Sequence, residues 1–168
     1  MKKTKQRNKP YRQKPIRARL GASEATEDKI KDIIRNVEIA TLMKLPLGKA
    51  DDQDMYCIQD VLMWTRTSLH LRIGKLSDEC LMEFKEVLDA GTDAFCAVVV
   101  RFREGKTNRY VAKVEESKAI VDAVSACCDY LKSCIETRST QLMEEYKHMK
   151  KMLKKGPANY RTLPREAV

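Results

Sequence analysis

The longest helical pattern of the chain lies near its C-terminal end and reads KVEESKAIVDAVSACCDYLKSCIETRSTQLMEEYKHMKKMLKK, residues 113–155. One heptad position is apolar throughout, and its members are Val114, Val121, Cys128, Ile135, Leu142 and Met149. The other heptad position is interrupted in its second half, and its members are Ser117, Val124, Leu131, Arg138, Glu145 and Met152. A seven-residue apolar repeat is typical of a long helix that packs along one stripe. The sequence therefore predicts a single helix from about residue 113 to residue 153 or 155.

The apolar stripe of this helix narrows in its second half, where charged residues lie on both sides of it. A narrow seam is typical of a helix that contacts one neighbour rather than a whole core. We therefore expect the C-terminal turns to project from the body or to meet a second copy of the chain. Self-association is predicted through Leu142, Met149 and Met152.

Two helices are predicted in the first half of the chain. Ser23 is a good N-cap residue followed by acidic residues, and it predicts a first helix that ends before Pro46. The acidic group at residues 51–54 predicts the start of a second helix that closes at Gly74. Its apolar stripe consists of Met55, Ile58, Leu62, Thr65 and Leu69. Residues 65–73 also alternate as a strand would, but an isolated strand would have no partner, so the helix is preferred.

A third helix is predicted from Ser77, a second N-cap residue. Its seam has 3-4 spacing and consists of Leu81, Phe84, Leu88, Gly91, Phe95, Val98 and Phe102. Gly91 within this seam indicates close approach of another helix, since a glycine inside a helix otherwise only costs stability. The alternative is a hairpin over residues 98–114, which are rich in β-forming residues. Because the seam continues to Phe102, we expect a connection at residues 105–110, with Tyr110 and Val111 extended against the body.

These patterns predict an all-α fold, with a four-helix body, a long C-terminal helix and flexible basic termini. The domain boundaries that follow are a disordered basic arm at residues 1–22, a helical domain at residues 23–155 and a basic C-terminal tail at residues 156–168. The arm contains Pro10 and Pro15 and has little apolar surface to bury.

Charge is strongly segregated along the chain. Its 168 residues carry a formal net charge of +9, and nine of the first 20 residues are Lys or Arg while none is acidic. A second basic segment follows Lys147, in which Glu166 is the only acidic residue. Fields of one sign steer encounters with polyanions, and Tyr11 adds an aromatic ring that can stack on a base. The residues predicted to bind nucleic acid are Lys2, Lys3, Lys5, Arg7, Lys9, Tyr11, Arg12, Lys14, Arg17, Arg19, Lys150, Lys151, Lys154, Lys155 and Arg161.

The order of these parts resembles small helical accessory proteins of proteobacterial phages and plasmids. The resemblance is carried by the basic arm, three shorter helices, the segment Arg109-Tyr110-Val111 with Glu115 and Glu116 after it, and a long helix ending in lysines. It implies a cytoplasmic helical protein of a mobile element, and it implies no catalytic residue.

No constellation for enzyme chemistry stands out in the sequence. His70 and His148, the two histidines, lack the spacing of a metal-binding or catalytic motif, and each is interpreted as a surface residue. Cys127, Cys128 and Cys134 are interpreted as small core residues rather than zinc ligands. We therefore expect no enzyme activity, metal, cofactor or small-molecule substrate. Trp64, the sole tryptophan, is expected in the core.

The cysteines form no CxxC motif, which favours reduced thiols in a cytoplasmic protein. No run of about 18 apolar residues occurs, so no membrane span is expected. The preferred hypothesis is a non-enzymatic accessory protein that binds nucleic acid or a host nucleoprotein complex through basic termini. The alternative is a protein-interaction module that inhibits a host replication, transcription or defence complex. A homo-oligomer is compatible with either hypothesis.

Overall fold

The computed structural model describes the backbone of residues 16–71 and 78–154, which form an all-α structure. Four helices, α1 at Ile16–Ile39, α2 at Asp52–His70, α3 at Asp78–Arg103 and α4 at Val114–Lys154, pack together. A π-helical turn at Ala40–Lys44 extends α1. No strand occurs within the described residues, so the all-α prediction is confirmed and the hairpin at residues 98–114 is excluded. None of the helices in these ranges is long and apolar enough to cross a membrane.

The first helix begins seven residues earlier than its predicted N-cap, at Ile16 rather than Ser23. Residues 16–22, which were assigned to the basic arm, are therefore helical. Arg, Ala and Leu, which dominate residues 16–20, are good helix formers, and a capping residue does not prevent a helix from starting upstream of it. Residues 1–15 of the arm lie outside the described residues, as do residues 155–168.

Helix α2 begins with the predicted acidic group, which forms a capping box. The Asp51 carboxylate accepts a hydrogen bond from the Asp54 backbone N–H at 2.9 Å, and the Asp54 carboxylate accepts one from the Asp51 N–H at 3.0 Å. The helix continues to His70, so the strand alternative is excluded over residues 65–70. The predicted apolar stripe of α2 is buried throughout. Gly74, the predicted end of the second helix, and Ser77, the predicted N-cap of the third, lie outside the described residues.

Helix α3 packs antiparallel to the first part of α4, and Gly91 lies at their contact. A Cβ atom at Gly91 would lie 2.2 Å from Ala123 Cβ and 2.9 Å from the Ala119 carbonyl oxygen. The close approach of a second helix that this glycine predicted is therefore confirmed. Further along the same pair, the Phe84 ring meets the Tyr130 ring edge to face, with centroids 5.9 Å apart.

Helix α4 is not one straight helix, because its backbone is non-helical at Arg138, with φ −151° and ψ 31°. Its contacts with α2 show the direction of each half. Before the break the contacts run forward along α2, from Tyr110, just ahead of α4, at Asp52 (2.7 Å) to Tyr130 at Ser68 near the end of α2 (2.8 Å). After the break the contacts run back, from Leu142 at Trp64 to Lys150 at Asp60. The chain therefore reverses at Arg138, and residues 139–154 pack antiparallel to α2.

This reversal corrects the predicted self-association seam. Leu142 and Met149 are 0% and 1% exposed, and the neighbour that buries them lies in the same chain. Trp64 is fully buried as expected; its indole N–H donates to the Leu142 carbonyl oxygen at 3.0 Å, and its ring lies 4.8 Å from that of Tyr146. Of the three residues predicted for self-association, Met152 alone is exposed, at 38%. Leu142 and Met149 therefore cannot form a contact surface between two copies that are each folded in this way.

Candidate nucleic-acid interface

Only two of the predicted binding residues of the N-terminal arm lie in the described part of the chain. Arg17 and Arg19 belong to its first turns. The remaining predicted residues of the arm lie outside the described residues, namely Lys2, Lys3, Lys5, Arg7, Lys9, Tyr11, Arg12 and Lys14. Lys155 and Arg161 of the C-terminal segment lie outside them as well.

The last turns of α4 carry exposed lysines, but not all of those that were predicted. Lys150 donates to the Asp60 carboxylate at 2.7 Å, so its charge is already compensated within the fold. Lys151 and Lys154 are exposed and form no ion pair with another described side chain. Lys147, which the prediction omitted, is exposed on the same face, because positions 147, 151 and 154 follow the i, i+4, i+7 spacing of one helical face. That spacing is visible in the sequence and was the available signal.

The two basic ends lie toward opposite ends of the bundle. Helix α1 and its π-helical turn end beside the start of α2, where Lys44 forms an ion pair with Asp54 at 2.7 Å. Residues 139–154 run antiparallel to α2, so the lysines at 147, 151 and 154 lie toward that same end. The start of α1, with Arg17 and Arg19, lies toward the other end. A helix of 24 residues is about 36 Å long, so the two basic ends are well separated.

A cleft of about 380 Å³ lies between the start of α2 and the connection from α3 to α4. Tyr110 lines it, donating its phenol hydrogen to Asp52 Oδ1 at 2.7 Å and packing on the Phe102 ring with centroids 4.1 Å apart. Desolvation by the surrounding protein, followed by the bond to Asp52, raises the pKa of Tyr110 to about 12. Tyr110 thus attaches the connection to the body, as its predicted extended position implied. Arg109 beside it is exposed and forms no ion pair with another described side chain.

An exposed apolar cluster adjoins this cleft and was missed in the sequence. Gly48 brings its two halves together, since a Cβ at this glycine would lie 3.7 Å from Val111 Cγ2. Large apolar surfaces exposed together are typical of protein contact sites. The cluster consists of Leu47 and Val111, 65% and 45% exposed, and Leu42, Met43 and Val114, close to them in the chain, are exposed as well.

The cysteines and histidines do not assemble a reactive centre in the part of the chain that the structure describes. Cys127, Cys128 and Cys134 are buried, and burial raises the pKa of Cys127 and of Cys128 to about 12. These two thiols therefore stay protonated at neutral pH, which disfavours both metal binding and nucleophilic attack. His70 and His148 are exposed. No group of three or more potential metal ligands occurs among the described side chains.

Comparison with known proteins finds no match to a protein family, to a curated protein or to a solved structure. The resemblance to phage and plasmid accessory proteins therefore stays a prediction based on the order of the chain's parts. Any functional conclusion depends on the residues described above.

Proposed function

We propose that the protein is a non-enzymatic accessory protein that binds nucleic acid, or a nucleoprotein complex, through its basic termini. The observation that carries the proposal is the set of nine Lys and Arg residues within the first 20 positions, without an acidic residue among them. Such a segment favours phosphate contact over base-specific readout, because positive charge carries no sequence information.

The charge pattern of the body supports this assignment. Several of its cations are held by carboxylates of the same chain, as in the pairs Lys44–Asp54, Arg101–Glu116 and Lys132–Glu38. Paired cations of this kind contribute less to binding a polyanion, since their charge is already compensated. The N-terminal segment has no acidic residue of its own to do so, and the positive potential is therefore greatest there.

The separation of the two basic ends shapes the proposed binding mode. Arg17 and Arg19 at the start of α1 and the exposed lysines at 147, 151 and 154 lie too far apart for one short phosphate cluster. We infer that each end contacts its own part of the polyanion, so that the body lies along it or bridges two of its segments. Removing one end should then weaken binding without abolishing it.

The test is the salt dependence of binding to duplex DNA. If about six arm cations meet phosphates, the slope of log K against log salt should be near −5, from about −0.9 per neutralised phosphate. Deleting residues 2–15 removes seven of the nine cations and leaves α1 intact, so the slope should flatten markedly. Fluorescence anisotropy across a salt series measures both slopes.

The matched control removes charge from the other end, by changing Lys147, Lys151 and Lys154 to Gln. This variant should lose a smaller part of the slope, and circular dichroism should show that both altered proteins keep the fold. Absence of binding to DNA and to RNA by the full chain at low salt would contradict the proposal.

A protein-interaction module is the second candidate, and the exposed apolar cluster favours it. Val111 and Leu47 would contact a partner protein, while the arm would occupy that partner's nucleic-acid path. A pull-down from host lysate with and without nuclease separates the two candidates. A partner that survives nuclease and is lost on Leu47→Asp selects the interaction module.

A further inference from the structure

No glycine or proline accounts for the reversal at Arg138. Residues 106–155 contain neither glycine nor proline, the residues that normally end or sharply bend a helix. Arginine is a good helix former, and the apolar seven-residue repeat passes from Ile135 to Leu142 without a change of register. Thr137, Ser139 and Thr140 weaken the helix preference at this point, but the unbroken apolar repeat fits a continuous helix, and tertiary contacts maintain the reversal.

Those contacts form a partly buried polar cluster at the break. The Arg138 guanidinium pairs with the Glu145 carboxylate, and both side chains are almost nine-tenths buried. It also donates to the Tyr130 hydroxyl at 3.4 Å, which in turn lies 2.8 Å from the Ser68 hydroxyl. The Arg138 side chain therefore joins Tyr130, which precedes the break, to Glu145, which follows it.

The segment after the break is held to α2 by contacts that do not depend on how the two are connected. Leu142 and Met149 are buried, and Asp60 accepts hydrogen bonds from Tyr146 at 3.1 Å and from Lys150 at 2.7 Å. A second copy of the chain carries the same segment and presents it with the same side chains. The surface of α2 around Trp64 and Asp60, called the α2 groove below, would bind either segment.

We propose that residues 139–154 exchange between two copies of the chain. In the exchanged dimer α4 is continuous through residue 138, and its last turns occupy the α2 groove of the other copy. All groove contacts are retained, the Arg138–Glu145 pair is changed, and backbone hydrogen bonds across the break are gained. The two forms thus differ mainly at the hinge, and protein concentration sets their ratio.

Charge reversal at the pair of Asp60 and Lys150 tests the exchange. Asp60→Lys and Lys150→Asp each place like charges in the groove, both in the closed monomer and in an exchanged homodimer. When the two variants are refolded together from urea, only exchange brings opposite charges together in both grooves. The expected result is a heterodimer of twice the 19.3 kDa chain mass, measured by light scattering and native mass spectrometry.

The control carries both substitutions in one chain, which restores opposite charges within the closed monomer. It should fold like the unaltered protein and show no preference for either single variant. If the single variants do not fold alone, helicity by circular dichroism that returns only in their mixture gives the same positive answer. A refolded mixture without heterodimer overturns the proposal.

Lengthening the hinge gives an independent measurement. Four residues, Gly-Ser-Gly-Ser, inserted after Arg138 relieve the demand for a tight reversal and interrupt the continuous helix. This variant should be monomeric at concentrations where the unaltered chain dimerises. A dimer that is unaffected by the insertion would contradict exchange, since it would then be formed by two closed copies.

Discussion

Gly91 shows how a single residue sets the distance between two helices. The Gly91→Ala substitution would place a methyl group 2.2 Å from Ala123 Cβ and 2.9 Å from a backbone oxygen of α4. Overpacking of this kind costs about 1–3 kcal/mol, so we expect a loss of that size in the free energy of unfolding, measured with urea. Adding Ala123→Gly removes the closest contact and should recover part of the loss. Unchanged stability of Gly91→Ala would mean that α3 and α4 do not meet at this residue.

The capping box of α2 shows how an element depends on its first residues. Hydrogen bonds from the Asp54 backbone lead the effects that lower the pKa of Asp51, so folding favours the ionised carboxylate. The cap is therefore fully effective above the ordinary aspartate pKa of about 3.9 and is lost as pH falls through the lowered value in the folded protein. Asp51→Ala should lower the urea midpoint at pH 7 and make little difference in strong acid.

Gln53→Ala is the matched control for this element, since Gln53 is the exposed second residue of the same helix and its side chain takes no part in the cap. It should leave the urea midpoint nearly unchanged at both pH values. An equal effect of the two substitutions would show that the start of α2 tolerates loss of its cap.

At the scale of the whole molecule, buried protonated groups predict instability in alkali. Burial raises the pKa of Cys127 and of Cys128 from near 9 to about 12, and that of Tyr110 from 10 to about 12. A raised pKa means that folding favours the protonated form. Its contribution is complete below the ordinary pKa and is lost as pH rises through the value in the folded protein. The melting temperature should therefore fall between about pH 9 and pH 12.

Cys127→Ala removes one of these groups and should make the alkaline fall in melting temperature shallower. Cys57→Ala is the control, since Cys57 is only half-buried. A melting temperature independent of pH over this range would contradict the burial of the thiols.

The helical content and much of the core followed from residue patterns, because an amphipathic helix carries its signal within its own few turns. The stripe of α2, the acidic start of that helix and the close contact at Gly91 were all predicted in this way. The start of α1 was misplaced because Ser23 marks a possible cap, whereas helix propensity decides whether residues upstream join the helix.

The candidate site could be predicted less well from the sequence, since it depends on which charged side chains form ion pairs in the folded protein. Lys150 belongs to the same basic run as Lys151 and Lys154, and only the position of Asp60 separates it from them. The apolar cluster likewise depends on the fold, which brings Gly48, next to Leu47, beside Val111, although the two are distant in the chain.

The identity of the apolar and basic faces was encoded locally, in spacing and composition. The path of the chain after Arg138 was decided by tertiary structure. The heptad pattern of α4 fits a continuous helix and a reversed one equally well, because either buries Leu142 and Met149. Within one closed chain the contacts with Trp64 and Asp60 require the reversed path, and they form between residues about 80 to 90 positions apart, which no local pattern relates.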